Sequence, residues 1–470
     1  MLTYTSLAKL KKIITDSRFL KEIETTSSIA VFLTLLNIAS LFFNKFFKSK
    51  IQAFVQGFTT AFGIYATYLD TSLTDILIQY LGQKNKEVSD ERTLYYEYLK
   101  RIGLVAVGLL IASVLAKLLS RKTSGKVIKA NVETVAPSDV YFFAGFFIGA
   151  LGCVVLTFTL KLDYKRIIKQ LYKETNLMAF FVVFYYLGVA LYRRSHVSDE
   201  FVETVEKVLS KELRRLPIRQ VNQVYSNSVL LVTGARFTSK LDSLKYASTT
   251  KPTLRVKPDK SELKQFVNKD IWLILEQPLA AFKLSIAEIV KYAFLIAYYL
   301  VLKRYKTKYD IELAIVKQFE GAAVKASFTG HMTLYIGYEF VSNLYYKNAR
   351  LKHLVAVILH ELGHVFNLHL IQLSMTALLS IALIGTYINH KSEIAFVNGC
   401  IFWIQVMQIM RRQEQEADAF VATIHIEFLN ALREVLETYT RKSTLKDWLL
   451  VDPHDSKRRV YALIDFLKSV

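Results

Sequence analysis

Cysteine is nearly missing: Cys153 and Cys400 are the only two in 470 residues, and both fall inside apolar runs. A disulfide framework is thereby excluded, and so is a zinc site built on thiolates. Proline is scarce as well, six in all, and none lies between Pro278 and Pro453, so long uninterrupted elements are expected there. Acidic residues are outnumbered, 40 against 61 Lys and Arg, for a net charge of +21. No DNA or RNA module accompanies that charge, which is spread along the chain, so nucleic acid is not an expected partner. The basic start, Met1 to Ser28, lacks a compact apolar stretch with a small-residue cleavage site. The expectation is therefore no cleavable signal, with the first span acting as the anchor.

What the chain has in excess is apolar residues, 52% of the total, with a positive mean hydropathy. A bilayer core takes about 20 apolar residues as a helix. Val140 to Leu160 has no charged side chain and meets that length. Leu177 to Tyr192 is slightly short, and Ile102 to Ala116 reaches it if Lys117 snorkels. Ile51 to Leu69 is long enough but carries Gln52 and Gln56, and Ile29 to Phe43 is broken by Asn37. Lys45, Lys48, Lys50, Lys117, Arg121, Lys122, Lys126 and Lys129 flank these runs, where they suit anionic headgroups. The loops 117–139 and 161–176 hold five Lys or Arg each, so charge counting leaves orientation tied.

Three regions follow. Residues 1–192 read as a multi-span membrane region of three to five helices. Residues 193–277 form a basic polar linker or accessory region, broken by Pro217, Pro252 and Pro258. Residues 278–470 carry the chemistry. Within them Leu284 to Tyr305 reads as an amphipathic helix rather than a span, Ile311 to Val316 and His331 to Ile336 as strands, and Leu351 to Leu370 as a strong helix.

That last helix contains His360-Glu361-Leu362-Gly363-His364. Residues four apart share one helix face, so His360 and His364 can present two imidazoles to a single ion. Zinc so held lowers the pKa of a bound water to about 7, and Glu361 stands beside it as the general base. The flanks, Leu354 to Leu359 and Val365-Phe366, are apolar, and buried polar groups need partners that a metal supplies. A catalytic site needs a third protein ligand and one open position. His369 is nearest, but it lies five residues beyond His364, where the long-motif zinc proteases require six, and Asn367 replaces their glycine.

Glu414 fits better. Leu370 to Asn389 and Ile394 to Met410 are uncharged arms about a polar break at Asn389 to Glu393. About twenty-five helical residues rise roughly 37 Å, enough to cross a core of about 30 Å with some tilt. A hairpin 370–410 with equal arms returns Glu414 to the level of His364. Asp418, one turn further on the same face, can accept the second N–H of a ligand histidine. Glu416 points elsewhere on an ideal helix.

With His360-Glu361-x-x-His364 followed by Glu414-x-x-x-Asp418, the chain resembles the family of HtpX-like membrane endopeptidases and CaaX prenyl proteases. Arg411 matches the family's arginine three before the ligand glutamate, with Met410 in place of its serine. Ala326-Ser327-Phe328 stands where the family has Asn-Ala-Phe. Asp452-Pro453 and Arg459-Val460 echo its C-terminal His-Pro and Arg-Ile, with His454 adjacent. The resemblance covers roughly residues 280–465 and implies a mainly α, polytopic membrane protein with a zincin-like α+β metallopeptidase domain. It implies one zinc ion per chain on His360, His364 and Glu414, with Asp418 behind a ligand. Ser327, Phe328 and the strand at Leu334 would line the substrate groove, and His454 and Arg459 would hold substrate or the oxyanion as catalytic residues. The implied activity is cleavage of membrane-associated or misfolded polypeptides on the cytosolic side of a lipid bilayer. The alternatives are an inactive membrane scaffold keeping a structural zinc, and a prenyl-protein protease. The sequence assigns no oligomeric state and no particular membrane.

Overall fold

The computed structural model describes residues 17–43, 49–82, 91–119, 138–160, 195–216, 244–245, 269–309, 311–317, 321–326, 332–367, 369–390, 392–438 and 456–467, with single positions at 162, 165 and 319. The N-terminal half contributes helices α1 (Ser17–Phe43), α2 (Ser49–Gly82), α3 (Glu91–Leu119) and α4 (Ser138–Thr159). Their polarity is inverted relative to a soluble bundle. Leu151 and Phe158 on α4 are 64% and 66% exposed, whereas Asn37 on α1 and Gln56 on α2 are fully buried. Lipid is the solvent that rewards this arrangement, because polar groups in it must find partners inside the protein. Among the described residues three helices are long and apolar enough to cross a membrane, with segments Glu24–Phe42, Val140–Thr159 and Glu393–Ile424. The apolar part of α3, Ile102–Ala112, is shorter than a span. The run Leu177 to Tyr192 lies outside the described residues.

The stretch Ile51 to Leu69, weakened in the sequence by its glutamines, lies within α2 and is buried at every position from Thr59 to Leu69. Gln56, Thr60 and Thr67 turn inward and are fully buried. Helices α2 and α4 meet backbone to backbone. A Cβ added at Gly57 would stand 1.9 Å from the carbonyl oxygen of Phe142, and one at Gly145 would stand 2.0 Å from that of Phe54. Gly149, four residues past Gly145, extends this small-residue crossing. Gly145→Val must push the helices apart, and we expect a loss of about 1–3 kcal/mol, read as a lower unfolding temperature in detergent. Gly385→Val, at a position with nothing within 4 Å, is the control that should stay near wild type.

The second half opens with β1 (Ser195–His196), α5 (Asp199–Arg214), β2 (Leu244–Lys245) and α6 (Lys269–Leu275), then α7 (Ile286–Tyr305). The Ser198 hydroxyl caps α5 by accepting from the Phe201 N–H, and Asp199 and Glu200 occupy its first turn. Its apolar stripe, Val202, Leu209 and Leu213, packs into the same core as α7. Ile271 and Leu275 of α6 are fully buried there as well. The described helices of 193–277, α5 and α6, thus pack into the same core as α7. Helix α7 starts at a capping box of Ser285 and Glu288 and ends where Lys306 turns left-handed, φ 50°. It is not one-sided as expected: Ile296 to Leu302 are all buried, because α5, a sheet strand and the later helices cover it on several sides.

After β3 (Thr307–Lys308), which pairs antiparallel with β1, come β4 (Ile311–Val316), β5 (Ala322–Ala326) and β6 (Met332–Gly337). The order is β2-β4-β6-β5, with β4 and β6 parallel and the other pairs antiparallel. Alternate burial along β4 and β6 shows one face on the core. Helices α8 (Tyr338–Tyr346), α9 (Leu351–Phe366), α10 (His369–His390), α11 (Glu393–Ile424), α12 (Ile426–Thr438) and α13 (Ser456–Leu467) complete the chain. Helix α9 stops four residues earlier than its apolar pattern suggests, with Asn367 as the C-cap.

Helices α10 and α11 pack against each other as the hairpin. Ser392 accepts from the Ala395 N–H at the start of α11 and donates to Asp70 of α2 at 2.5 Å. A polar seam then runs down α11 on residues seven apart: Asn398, Gln405 and Arg412. Asn37 of α1 donates to Asn398 at 3.0 Å, and Asn398 donates to Thr34 at 3.2 Å. Thr60 of α2 donates to Gln405 at 3.2 Å, and Arg412 donates to Gln56 at 2.8 Å. The seam fastens the first two helices to the helix that enters the site.

Candidate metal centre

Helix α9 is buried over most of its surface, which fixes the rotation of His360 and His364 toward α11. The crossing is close because residue 363 is glycine: a Cβ there would meet the Cα of Ala417 at 3.1 Å. Across it stands Glu414. His360 Nε2 and His364 Nε2 are 3.3 Å apart, and the carboxylate of Glu414 lies 3.3 Å from the first and 3.5 Å from the second. Donor atoms held about 2.0–2.1 Å from a tetrahedral ion stand roughly 3.3 Å from one another. The three side chains thus match an ion of that size, and they are the one such group among the described residues. Glu361, next to His360 on the same helix, is half-buried and is not in the group.

Behind the donors the nitrogen partners are specific. His360 Nδ1 is 3.0 Å from Asp418 Oδ1, so the carboxylate can accept that N–H and leave Nε2 free for a metal. Arg459 of α13 donates through Nε to Asp418 at 3.0 Å, through Nη2 to its other oxygen at 2.5 Å, and through Nη1 to Glu414 at 2.8 Å. One guanidinium fork therefore balances two buried carboxylates.

Charge follows from this packing. Burial and the Arg459 guanidinium push His360 downward, but its hydrogen bonds to the Asp418 and Glu414 carboxylates outweigh them and lift it to about 9. Burial dominates at His364 and holds it well below its ordinary value. Burial lowers Arg459 as well, but Asp418 and Glu414 raise it by more, so it stays charged. A metal entering the site must displace the proton on His360. Below pH 9 each unit of increase removes competing proton, so apparent metal affinity should rise about tenfold per pH unit and level off near pH 9. Titration with a chromophoric chelator across that range checks it; a flat profile would mean that His360 gives up no proton.

The structure brings together six residues singled out from sequence: His360, Glu361, His364, Glu414, Asp418 and Arg459, whose guanidinium is paired with Glu414 and Asp418. Ser327, Phe328 and His454 lie outside the described residues. The expectation for Leu334 needs correction. It sits on β6, whose backbone is already paired with β4 and β5, and its side chain is 0% exposed. A substrate strand cannot be added there; among the described strands β5 lies at the edge, and it packs beside α9.

Two residues passed over in the sequence matter as well. His369 Nδ1 is 2.9 Å from His364 Nδ1, and His369 Nε2 is 3.1 Å from Glu416. Glu416 does point away from the donors, and His369 is what it points to. The sequence signal was a histidine just past the end of the motif helix and a second glutamate two residues beyond the first.

A His-Glu-x-x-His helix crossed by a carboxylate-bearing helix, in a chain with membrane-length apolar helices, defines a mainly α membrane protein with a metallopeptidase domain. Residues 317–462 match the model of peptidase family M48, so that segment is similar to the family's peptidase domain. The match takes in β5, β6 and the helices that carry the site, and leaves the N-terminal membrane helices outside it. No match to a curated protein or to a solved structure was found.

Proposed function

We propose that the chain is a zinc-dependent endopeptidase of a membrane, acting on polypeptides that are membrane-associated or unfolded. The observation that carries this reading is the spacing of the His360, His364 and Glu414 donors around one point, with Glu361 beside it but outside the donor set. Among the described residues there are three donors, which leave a position open as a catalytic site needs; a structural zinc takes four protein ligands. That count favours catalysis over a scaffold.

Bound zinc would supply Lewis acidity that makes a water nucleophilic at neutral pH. The rest is work for the chain's own side chains. Glu361 takes a proton at its carboxylate from the attacking water and returns it to the leaving amine. Asp418 holds the proton on His360 Nδ1, keeping Nε2 available as a donor atom. Arg459 neutralises Glu414 and Asp418, so that the two can approach within a buried site. Extended substrate adds along the free edge of β5, where main-chain hydrogen bonds give affinity without requiring a particular sequence. Glu393–Ile424 is both a candidate span and the helix that bears Glu414, which supports a site close to the membrane.

The test uses full-length protein purified in detergent, with casein as an unfolded substrate. Metal analysis should find about one zinc per chain, and cleavage should stop with a chelator and return on adding zinc. Cleavage that survives complete zinc removal would sink the proposal.

A further inference from the structure

Glu416, Arg412 and His369 are buried polar groups that no step above uses. They form a line. His364 Nε2 faces the other donors, so a His364 that binds metal there carries its proton on Nδ1. The atom waiting for that proton is His369 Nδ1, at 2.9 Å. An accepting Nδ1 places the proton of a neutral His369 on Nε2, and the atom facing it is a Glu416 carboxylate oxygen at 3.1 Å. Donor and acceptor alternate without conflict from the metal position to Glu416.

The line is anchored at both ends. His369 is 1% exposed, and its carbonyl accepts from Gln413 Nε2 at 2.7 Å, which fixes the hinge between α9 and α10. Glu416 is paired with Arg412 at 3.7 Å, and Arg412 donates to Gln56 of α2 at 2.8 Å. The two ligand histidines are thus oriented differently. His360 meets a carboxylate directly, whereas His364 meets one through a second imidazole.

We infer that His369 and Glu416 are positioning residues for the metal site: His369 accepts the His364 N–H, and Glu416 fixes the His369 tautomer that can do so. Outer partners of metal-bound histidines are typically worth about 10–100-fold in metal affinity. The inference rests on the zinc reading above and adds two residues to it.

The experiment is zinc affinity of the full-length protein in detergent, measured by competition with a chromophoric chelator. His369→Leu removes the acceptor while keeping apolar bulk, and should weaken zinc binding by about 10–100-fold. Glu416→Gln keeps size. Its amide can donate to His369 Nε2, which moves the His369 proton to Nδ1 and sets donor against donor at His364, so a loss of similar order is expected. His369→Asn returns an oxygen near the place of Nδ1 and should bind zinc within about threefold of wild type. A merely structural histidine would not give this split. If His369→Leu and Glu416→Gln both bind zinc as wild type does, the inference is overturned. It is also overturned if His369→Asn loses as much as His369→Leu, which would make His369 a packing residue. Those results, with wild type still binding zinc and cleaving casein, would leave the proposed function standing. A wild type that binds no zinc would overturn both.

Discussion

Replacing Glu361 with glutamine should lower the cleavage rate by about two to four orders of magnitude while leaving the metal content unchanged. Glutamine has the same shape but takes no proton from an attacking water. The donor set is His360, His364 and Glu414, so nothing that holds the ion is removed. The loss should fall on kcat, with KM little changed, because the proton moves only as the transition state forms. Steady-state kinetics on a quenched peptide, with metal analysis of the same preparation, reads both quantities. Metal loss in Glu361→Gln would make Glu361 part of the binding site, and full activity would place the base elsewhere.

The second large effect is expected at Arg459. Its guanidinium is the one positive fork between Glu414 and Asp418, both buried, and breaking such an arrangement from one side typically costs about 3–5 kcal/mol. Arg459→Met should therefore unfold at a markedly lower temperature in the presence of a chelator. Zinc brings two positive charges to the same carboxylate cluster. It should stabilise Arg459→Met by more than it stabilises wild type, narrowing the gap between them. Thermal unfolding of both proteins, with chelator and with zinc, gives the comparison. An equal gap in the two conditions would show that the arginine and the metal do not share the same negative charge. Arg459→Lys should recover only part of the loss, since a point charge cannot serve three oxygens as the planar fork does.

What the sequence made legible was local or evenly spaced. Four residues of helix bring His360 and His364 to one face, and two apolar arms of similar length return Glu414 to them. Strands were expected at 311–316 and 331–336, and the structure has them at Ile311–Val316 and Met332–Gly337. Strand order was not legible, because it depends on pairing across the sheet. Leu334 looked like a groove residue and lies in the sheet's interior. Helix α2 looked a poor span for the same reason that it is a good bundle helix: its glutamine and threonines have partners on α11, more than 300 positions away. The His369–Glu416 pair joins α10 to α11, and nothing in either segment alone names the other.

The seam along α11 also dictates an order of assembly. Asn37 is synthesised 361 residues before its partner Asn398. While the chain is being made, the amides of α1 and α2 enter a medium with no water to receive them, and nothing yet exists to replace it. They are completed only when the last hairpin arrives, and the same hairpin brings Glu414 to the histidines. The helix that completes these amides is therefore the same one that brings Glu414 to the two histidines. A chain that ends before that helix lacks both the partners of those amides and Glu414.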